Sequence, residues 1–121
     1  MAAWRLLAFE ALLRAQEGRC FACGHSFEPR LCARGAMPDA LANHPRRPSL
    51  DHLVPLAAGG PDHWRNLVVA CRRCNCAKGH RWPSRRDRTR ARTLWLAVPQ
   101  ATRAALNEAK PLDGYYAAFV R

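Results

Sequence analysis

Apolar positions run from Ala2 to Glu17 in a broad arc that holds Trp4, Phe9 and several Ala and Leu, with no Gly or Pro to interrupt it. That pattern predicts a helix packed on a core, and Gly18 is a natural stop because glycine adopts positive φ without steric cost. Strand-like residues come later, from Ser49 to Val54 and from Asn66 to Ala70, on either side of a turn-rich stretch around Gly59, Gly60 and Pro61. A hairpin is expected there. Cys71 to Lys78 lacks breakers until Gly79, so a short helix should follow it. Ser84, three residues ahead of Asp87, resembles a capping box; it opens a basic helix through Arg85, Arg86, Arg88, Arg90 and Arg92 into Leu94, Trp95 and Leu96. Pro99 ends that helix, Gln100 to Lys110 can form another, and a tail bearing Tyr115, Tyr116 and Phe119 should pack back on the body. Between Gly24 and Ser49, Pro29, Pro38, Pro45 and Pro48 stand among scattered Arg with little periodicity, which reads as a long irregular insert.

The chain of 121 residues fits one domain: an N-terminal helix over 1–18, a core over 19–82 and a basic helical extension over 83–121. Its apolar runs fall far short of the roughly 20 residues that span a bilayer, and no charged-then-apolar leader is evident, so a soluble, cytoplasmic protein without membrane contact is expected. Charge changes the picture most. Lys and Arg number 20 against 9 Asp and Glu, a formal net of +11, and all but Lys78 and Lys110 of these cations are Arg. An acidic polymer is the expected partner. The planar Arg fork grips phosphate bidentately, which favours nucleic acid. High genomic GC content also enriches Arg, but it does not account for the net charge.

Four of the six cysteines form two Cys-x-x-Cys pairs, Cys20 with Cys23 and Cys71 with Cys74. A two-residue gap lets both sulfurs of a pair turn toward one ion, and two pairs complete a tetrahedral four-thiolate shell, so zinc is expected in preference to redox or disulfide use. Such a closed shell admits no water, which makes this metal structural and worth on the order of 10 kcal/mol to folding. His25 and Cys76 could substitute as ligands, less neatly. Cys32 and Cys76 are left as reduced thiols.

Adjacent side chains of a strand point to opposite faces, so Asp51 and His52 should have separate roles: Asp51 offers a hard oxygen to a cation, while His52 stays free as a general base. On a helix beginning near Cys71, Cys74 and Asn75 fall three and four residues on, close to the same face. One short helix can thus serve two metal sites. Asn75 would add a second hard oxygen beside Asp51, and a site with so few protein ligands suits Mg²⁺ or Mn²⁺, which keep several waters and take oxygens from substrate phosphate.

The segment from Leu50 to His80 resembles the HNH endonuclease family through Asp51-His52, Pro55, Gly59-Gly60, Asn66-Leu67, Cys71-x-x-Cys74-Asn75 and Lys78-Gly79. With the first cysteine pair, the resemblance covers Cys20 to about Arg81. It implies an α+β fold with a small ββα-metal core, structural zinc and flanking helices. By the same resemblance His52 is the water-activating base, Asp51 and Asn75 are ligands of the catalytic ion, and Asn66 is the catalytic-site residue that braces the loop and orients the histidine. The implied activity is hydrolysis of DNA phosphodiester bonds, by nicking or double-strand cleavage, leaving 5′-phosphate and 3′-hydroxyl ends. The long insert between Cys23 and Asp51 departs from the family's pattern.

Double-stranded DNA is the expected partner, met by a monomer or weak homodimer or within a larger nucleic-acid-processing complex. Arg72, Arg73, Lys78, Arg81, Arg85 and Arg86 are the expected phosphate contacts, against the plainer reading of a solvated face. Trp82 and Trp95 could stack on bases, or anchor the helix in the core. His44, His63 and His80 sit in turns or flanks where exposed histidines are common. Two other functions remain open. A non-catalytic zinc module that binds DNA or scaffolds another enzyme would keep the four cysteines and have no use for His52, and a thiol-redox protein would hold no zinc.

Overall fold

The computed structural model describes residues 2–28, 31 and 44–111. Helix α1 (Ala3–Ala15) leads into a short antiparallel bridge of Arg19 with Ser26. Strand β1 (Pro48–His52), 3-10 turns over Leu56–Ala58 and Trp64–Asn66, strand β2 (Leu67–Cys71) and helices α2 (Arg72–Lys78), α3 (Arg85–Ala97) and α4 (Gln100–Ala109) follow. The fold is α+β: a two-stranded antiparallel hairpin with α2 running on from β2, flanked by helices before and after it. The register pairs Pro48 with Cys71, Asp51 with Val68 and His52 with Leu67.

Strand β2 is the centre of the core because all five of its residues are buried. Leu67, Val69 and Cys71 join Ala8 and Leu12 of α1 with Trp95, Val98 and Leu106, whereas Val68 joins Phe21, Leu53 and Ala91. The edge of β2 away from β1 is closed by a side chain. The Val69 N–H donates to Gln16 Oε1 at 2.9 Å, and the Val69 carbonyl accepts from Gln16 Nε2 at 2.8 Å and from the Phe21 N–H at 3.0 Å. Gln16 thus pairs as a residue of a third strand would, satisfying backbone groups that burial would otherwise leave unpaired. For this the helix must stop early: α1 ends at Ala15, two residues before the expected Glu17, and the chain turns through Glu17 at φ 55° and Gly18 at φ 67°.

The hairpin also ends differently from its expected limits, and Asn66 is the reason. Its side-chain Oδ1 accepts from the Val54 N–H at 3.0 Å, and its Nδ2 donates to the carbonyls of Val54 at 3.0 Å and Pro61 at 2.9 Å. The Leu53 N–H still donates to the Asn66 carbonyl at 2.8 Å, but the Asn66 N–H turns away to the His63 carbonyl at 2.9 Å, so regular pairing goes no further: β1 stops at His52 and β2 begins at Leu67. Gly60 closes the same loop from the other side. A Cβ there would lie 1.9 Å from the Val54 carbonyl oxygen, which is backbone and cannot step aside.

The helices after the hairpin follow their sequence signals. Gly79 has φ 57° at the end of α2, and the Ser84 hydroxyl caps α3 by accepting from the Asp87 N–H at 3.1 Å. Asp87 does not reach back as a capping-box partner would; it pairs with Arg90 at 3.1 Å. Trp95 belongs to the core, its Nε1 donating to the Leu67 carbonyl at 3.0 Å and its ring edge-on to Trp64, whereas Trp82 is exposed. The start of α2 is capped by the end of the insert, where the Arg47 and Pro45 carbonyls accept from the N–H groups of Arg72 at 2.8 Å and Arg73 at 2.9 Å. Arg30, Cys32, Arg34, Tyr115, Tyr116 and Phe119 lie outside the described residues. Among the described residues, no helix is long and apolar enough to cross a membrane.

Gly60→Ala should lower the free energy of unfolding by about 3 kcal/mol, the upper part of the usual cost of overpacking. Urea denaturation measures it. A loss within about 0.5 kcal/mol, ordinary for a surface position, would show that the loop does not close on itself in this way.

Candidate active site and metal site

The ligand-rich residues separate into two neighbouring groups. In the first, the Sγ atoms of Cys20, Cys23, Cys71 and Cys74 all lie within 4.8 Å of one another. The Arg19–Ser26 bridge turns Cys20 and Cys23 toward the start of α2, with the Cys20 N–H bonded to the His25 carbonyl at 2.9 Å and Gly24 at φ 75° completing the turn. Cys20 Sγ accepts from the N–H groups of Cys71 at 3.3 Å and Cys23 at 3.5 Å. Burial acts to raise the Cys20 pKa, but these amides outweigh it and the thiol titrates below its ordinary range. Burial pushes Cys71 and Cys74 up, and negative charge on Cys20 adds to it. One thiolate is stabilised while its neighbours resist ionising beside it, a conflict that a bound cation relieves. All four donors are soft sulfurs, a set suited to zinc. Neither His25 nor Cys76 belongs to this group.

The second group is set by matching one face of β1 to one face of α2. Ser49 and Asp51 are two apart on the strand, Asn75 and Lys78 three apart on the helix, and the steps are close enough for two cross-contacts. Asn75 Nδ2 donates to the Ser49 hydroxyl at 3.2 Å, and that hydroxyl donates to the Ala70 carbonyl at 3.1 Å. The amide nitrogen is thereby anchored, which leaves Asn75 Oδ1 as the atom able to meet a cation. Lys78 Nζ lies 2.9 Å from Asp51 Oδ1 and also donates to the His52 carbonyl. Burial raises the pKa of Asp51, and Lys78 works against that rise. A buried carboxylate in this position calls for positive charge.

His52 turns elsewhere: its Nε2 is 3.0 Å from Asp62 Oδ1, and the other carboxylate oxygen of Asp62 pairs with Arg5 of α1. Asp51, His52 and Asn75 nevertheless line one cavity of about 330 Å³, together with Lys78 and His80. Asn66 does not line it; the residue is buried behind it, holding the loop that carries Asp62. Arg72 and Arg73 are exposed at the start of α2, Arg85 and Arg86 at the start of α3. Arg81 is exposed between them, with Nε donating to the Lys78 carbonyl at 3.2 Å. Lys78 differs from these five arginines, because it is half-buried and its ammonium meets Asp51 and the His52 carbonyl.

Residues 43–89 match the HNH endonuclease family model. The matched segment takes in β1, β2, α2 and the opening of α3, and with them Asp51, His52, Asn66, Cys71, Cys74 and Asn75. It covers less than half of the chain and leaves Cys20 and Cys23 outside, so half of the sulfur cluster comes from the preceding residues. No curated protein matches the chain significantly.

Three residues of this region carried no sequence signal of their role. Asp62 follows Gly59-Gly60-Pro61, where an aspartate is an ordinary turn residue. Arg5 is one of many arginines. His63, in a turn where exposure was expected, is only 2 % exposed. Its Nδ1 accepts from the Arg65 N–H at 3.2 Å, and its Nε2 meets the Lys110 carbonyl at 3.0 Å, so it ties the loop to the end of α4.

Purified protein should contain one zinc ion per chain by elemental analysis, and Cys71→Ser should lose both the zinc and the cooperative thermal transition, since ligation of this kind is worth about 10 kcal/mol. A metal-free Cys71→Ser protein that melts like the wild type would refute the four-thiolate site.

Proposed function

We propose that the protein is a divalent-metal-dependent DNA endonuclease in which His52 is the general base and Asp51 and Asn75 hold the catalytic ion. The observation that supports this most directly is the single cavity lined by His52, Asp51 and Asn75 together, within a segment that matches a nuclease family. Two hard oxygen donors, one a buried carboxylate that calls for positive charge, fit Mg²⁺ or Mn²⁺ better than zinc. What such an ion supplies when bound is positive charge for the crowded phosphorus centre and the departing 3′ oxygen.

In this scheme His52 takes a proton from water as the water oxygen forms its bond to phosphorus. The bond from phosphorus to the 3′ oxygen breaks, and the departing oxygen is protonated from solvent. Phosphate stays on the 5′ end and a hydroxyl is left on the 3′ end. Asn66 acts at one remove, by keeping the loop beside His52 in shape. The zinc cluster contributes rigidity, since it fixes the start of the helix that carries Asn75. Exposed Arg72, Arg73, Arg81, Arg85 and Arg86 supply phosphate contacts for duplex DNA, and the net charge of +11 favours the encounter.

One observation favours a second reading, a zinc-containing DNA-binding module without catalysis. Lys78 already neutralises Asp51, which a purely structural core could exploit. Incubation with supercoiled plasmid separates the two. The wild type should nick or cut in Mg²⁺ or Mn²⁺ and stop in chelator, and His52→Ala should be slower by about 10²- to 10⁴-fold, the usual worth of a general base, while binding DNA as before. Equal cutting by His52→Ala would exclude His52 as the base, and a wild type that binds DNA yet leaves it intact in every divalent ion would establish the module.

A further inference from the structure

The imidazole of His52 has a partner that is not one of the motif residues, although it lies within residues 43–89. We propose that Asp62, backed by Arg5 of α1, is a positioning residue that fixes His52 as its Nε2–H tautomer and leaves Nδ1 as the atom that accepts the proton, an inference resting on the reading of His52 as the base.

Each oxygen of the Asp62 carboxylate has its own partner, His52 Nε2 at 3.0 Å on Oδ1 and the Arg5 guanidinium on Oδ2. The guanidinium is itself held, stacked 4.9 Å from the centre of the Trp4 ring. The carboxylate therefore cannot rotate without breaking an ion pair. Burial acts to raise its pKa, but the hydrogen bond from His52 and the positive charge of Arg5 work against it and its pKa lies below the ordinary value, so Asp62 is ionised and can only accept. The facing ring nitrogen must then carry the hydrogen. A neutral imidazole has one N–H, so the lone pair is left at Nδ1, and a ring flip would forfeit the bond to Asp62.

The chain path explains why the geometry holds. Pro61 is tied by its carbonyl to Asn66, and Gly60 packs against the Val54 backbone, so Asp62 leaves a loop fixed on both sides. His63 carries that loop on to the Lys110 carbonyl. Arg5 approaches from a helix outside residues 43–89, so the HNH segment does not complete its own base. The logic is that of any nucleophile–base pair in which a third group sets the orientation of the base. Asp62 touches no reacting atom. Its effect runs through His52 alone.

Nitrogen-15 NMR of the histidine rings reads the tautomer without reference to cleavage. With the ring neutral, wild-type His52 should show Nε2 protonated and Nδ1 bare. In Asp62→Asn the amide can donate as well as accept, so the single tautomer should be lost and plasmid cleavage should slow by about 10²- to 10⁴-fold. Arg5→Met, which loosens the carboxylate without removing it, should slow cleavage by about 10- to 100-fold, as loss of an orienting partner one step from the site does. Thermal melting of both variants separates misplacement from unfolding. A wild-type His52 that is mainly Nδ1–H, or a folded Asp62→Asn with unchanged tautomer and rate, would overturn the proposal. If the tautomer is fixed by Asp62 but the wild type cuts no DNA, the nuclease reading fails and the positioning of His52 by Asp62 stands.

Discussion

Four sulfur atoms within 4.8 Å of one another, in a corner walled by α1, β2 and α2, cannot all be anions without a cation among them. That constraint organises the rest. To bring the first pair to the second, the chain must turn sharply after α1, and Glu17, Gly18 and Gly24 adopt positive φ to do so. The same turn delivers Gln16 to the open edge of β2, so the cluster and the side-chain extension of the sheet are consequences of one change of direction. Because Cys71 caps α2 and Cys74 lies in its first turn, the cluster also sets where that helix starts. Asn75 and Lys78 then fall opposite Ser49 and Asp51 with little freedom left.

The second organising element is the closed loop between the strands, which uses no metal. Asn66 supplies it with three hydrogen bonds from one buried amide. A buried amide is costly unless every donor and acceptor is satisfied, and here the loop backbone is what satisfies it. Loop and side chain are therefore mutually dependent, and Gly60 is confined by the same closure. What emerges at the exit of the loop is Asp62, beside the ring of His52.

Much of this was legible in the sequence because local chemistry and tertiary placement agree. The hairpin, the helix after it, the cap at Ser84 and the stop at Gly79 are signals that act over a few residues, and two Cys-x-x-Cys pairs have few stable outcomes besides one cluster. What escaped has a common cause: those residues act across long separations through ordinary side chains. Gln16 at a helix end reads as solvated until β2 needs an edge. Asp62 after Gly-Gly-Pro reads as turn chemistry until His52 is found 3.0 Å away. Lys78 reads as a phosphate ligand because exposure is the default for lysine, yet a buried carboxylate nearby makes the ion pair the better use of its charge. The strands end where the Asn66 side chain binds the Val54 backbone across the loop, a contact that no propensity marks.

The segment that matches the family model and the residues before it are related asymmetrically. Residues 43–89 contain Asp51, His52 and Asn75, which line the cavity, but Cys20 and Cys23, Gln16 and Arg5 all lie outside them. Each outside residue meets an inside one that would otherwise be left with an unmet electrostatic need: a second pair of thiols, an unpaired strand edge, a carboxylate with one free oxygen. Hydrophobic contacts between α1 and β2 could be exchanged for others of similar volume at modest cost. The polar contacts could not, because each joins one particular donor to one particular acceptor in a buried or half-buried place. Packing therefore holds α1 against the hairpin, while these few polar pairs fix its register there, and that register decides whether Arg5 reaches Asp62.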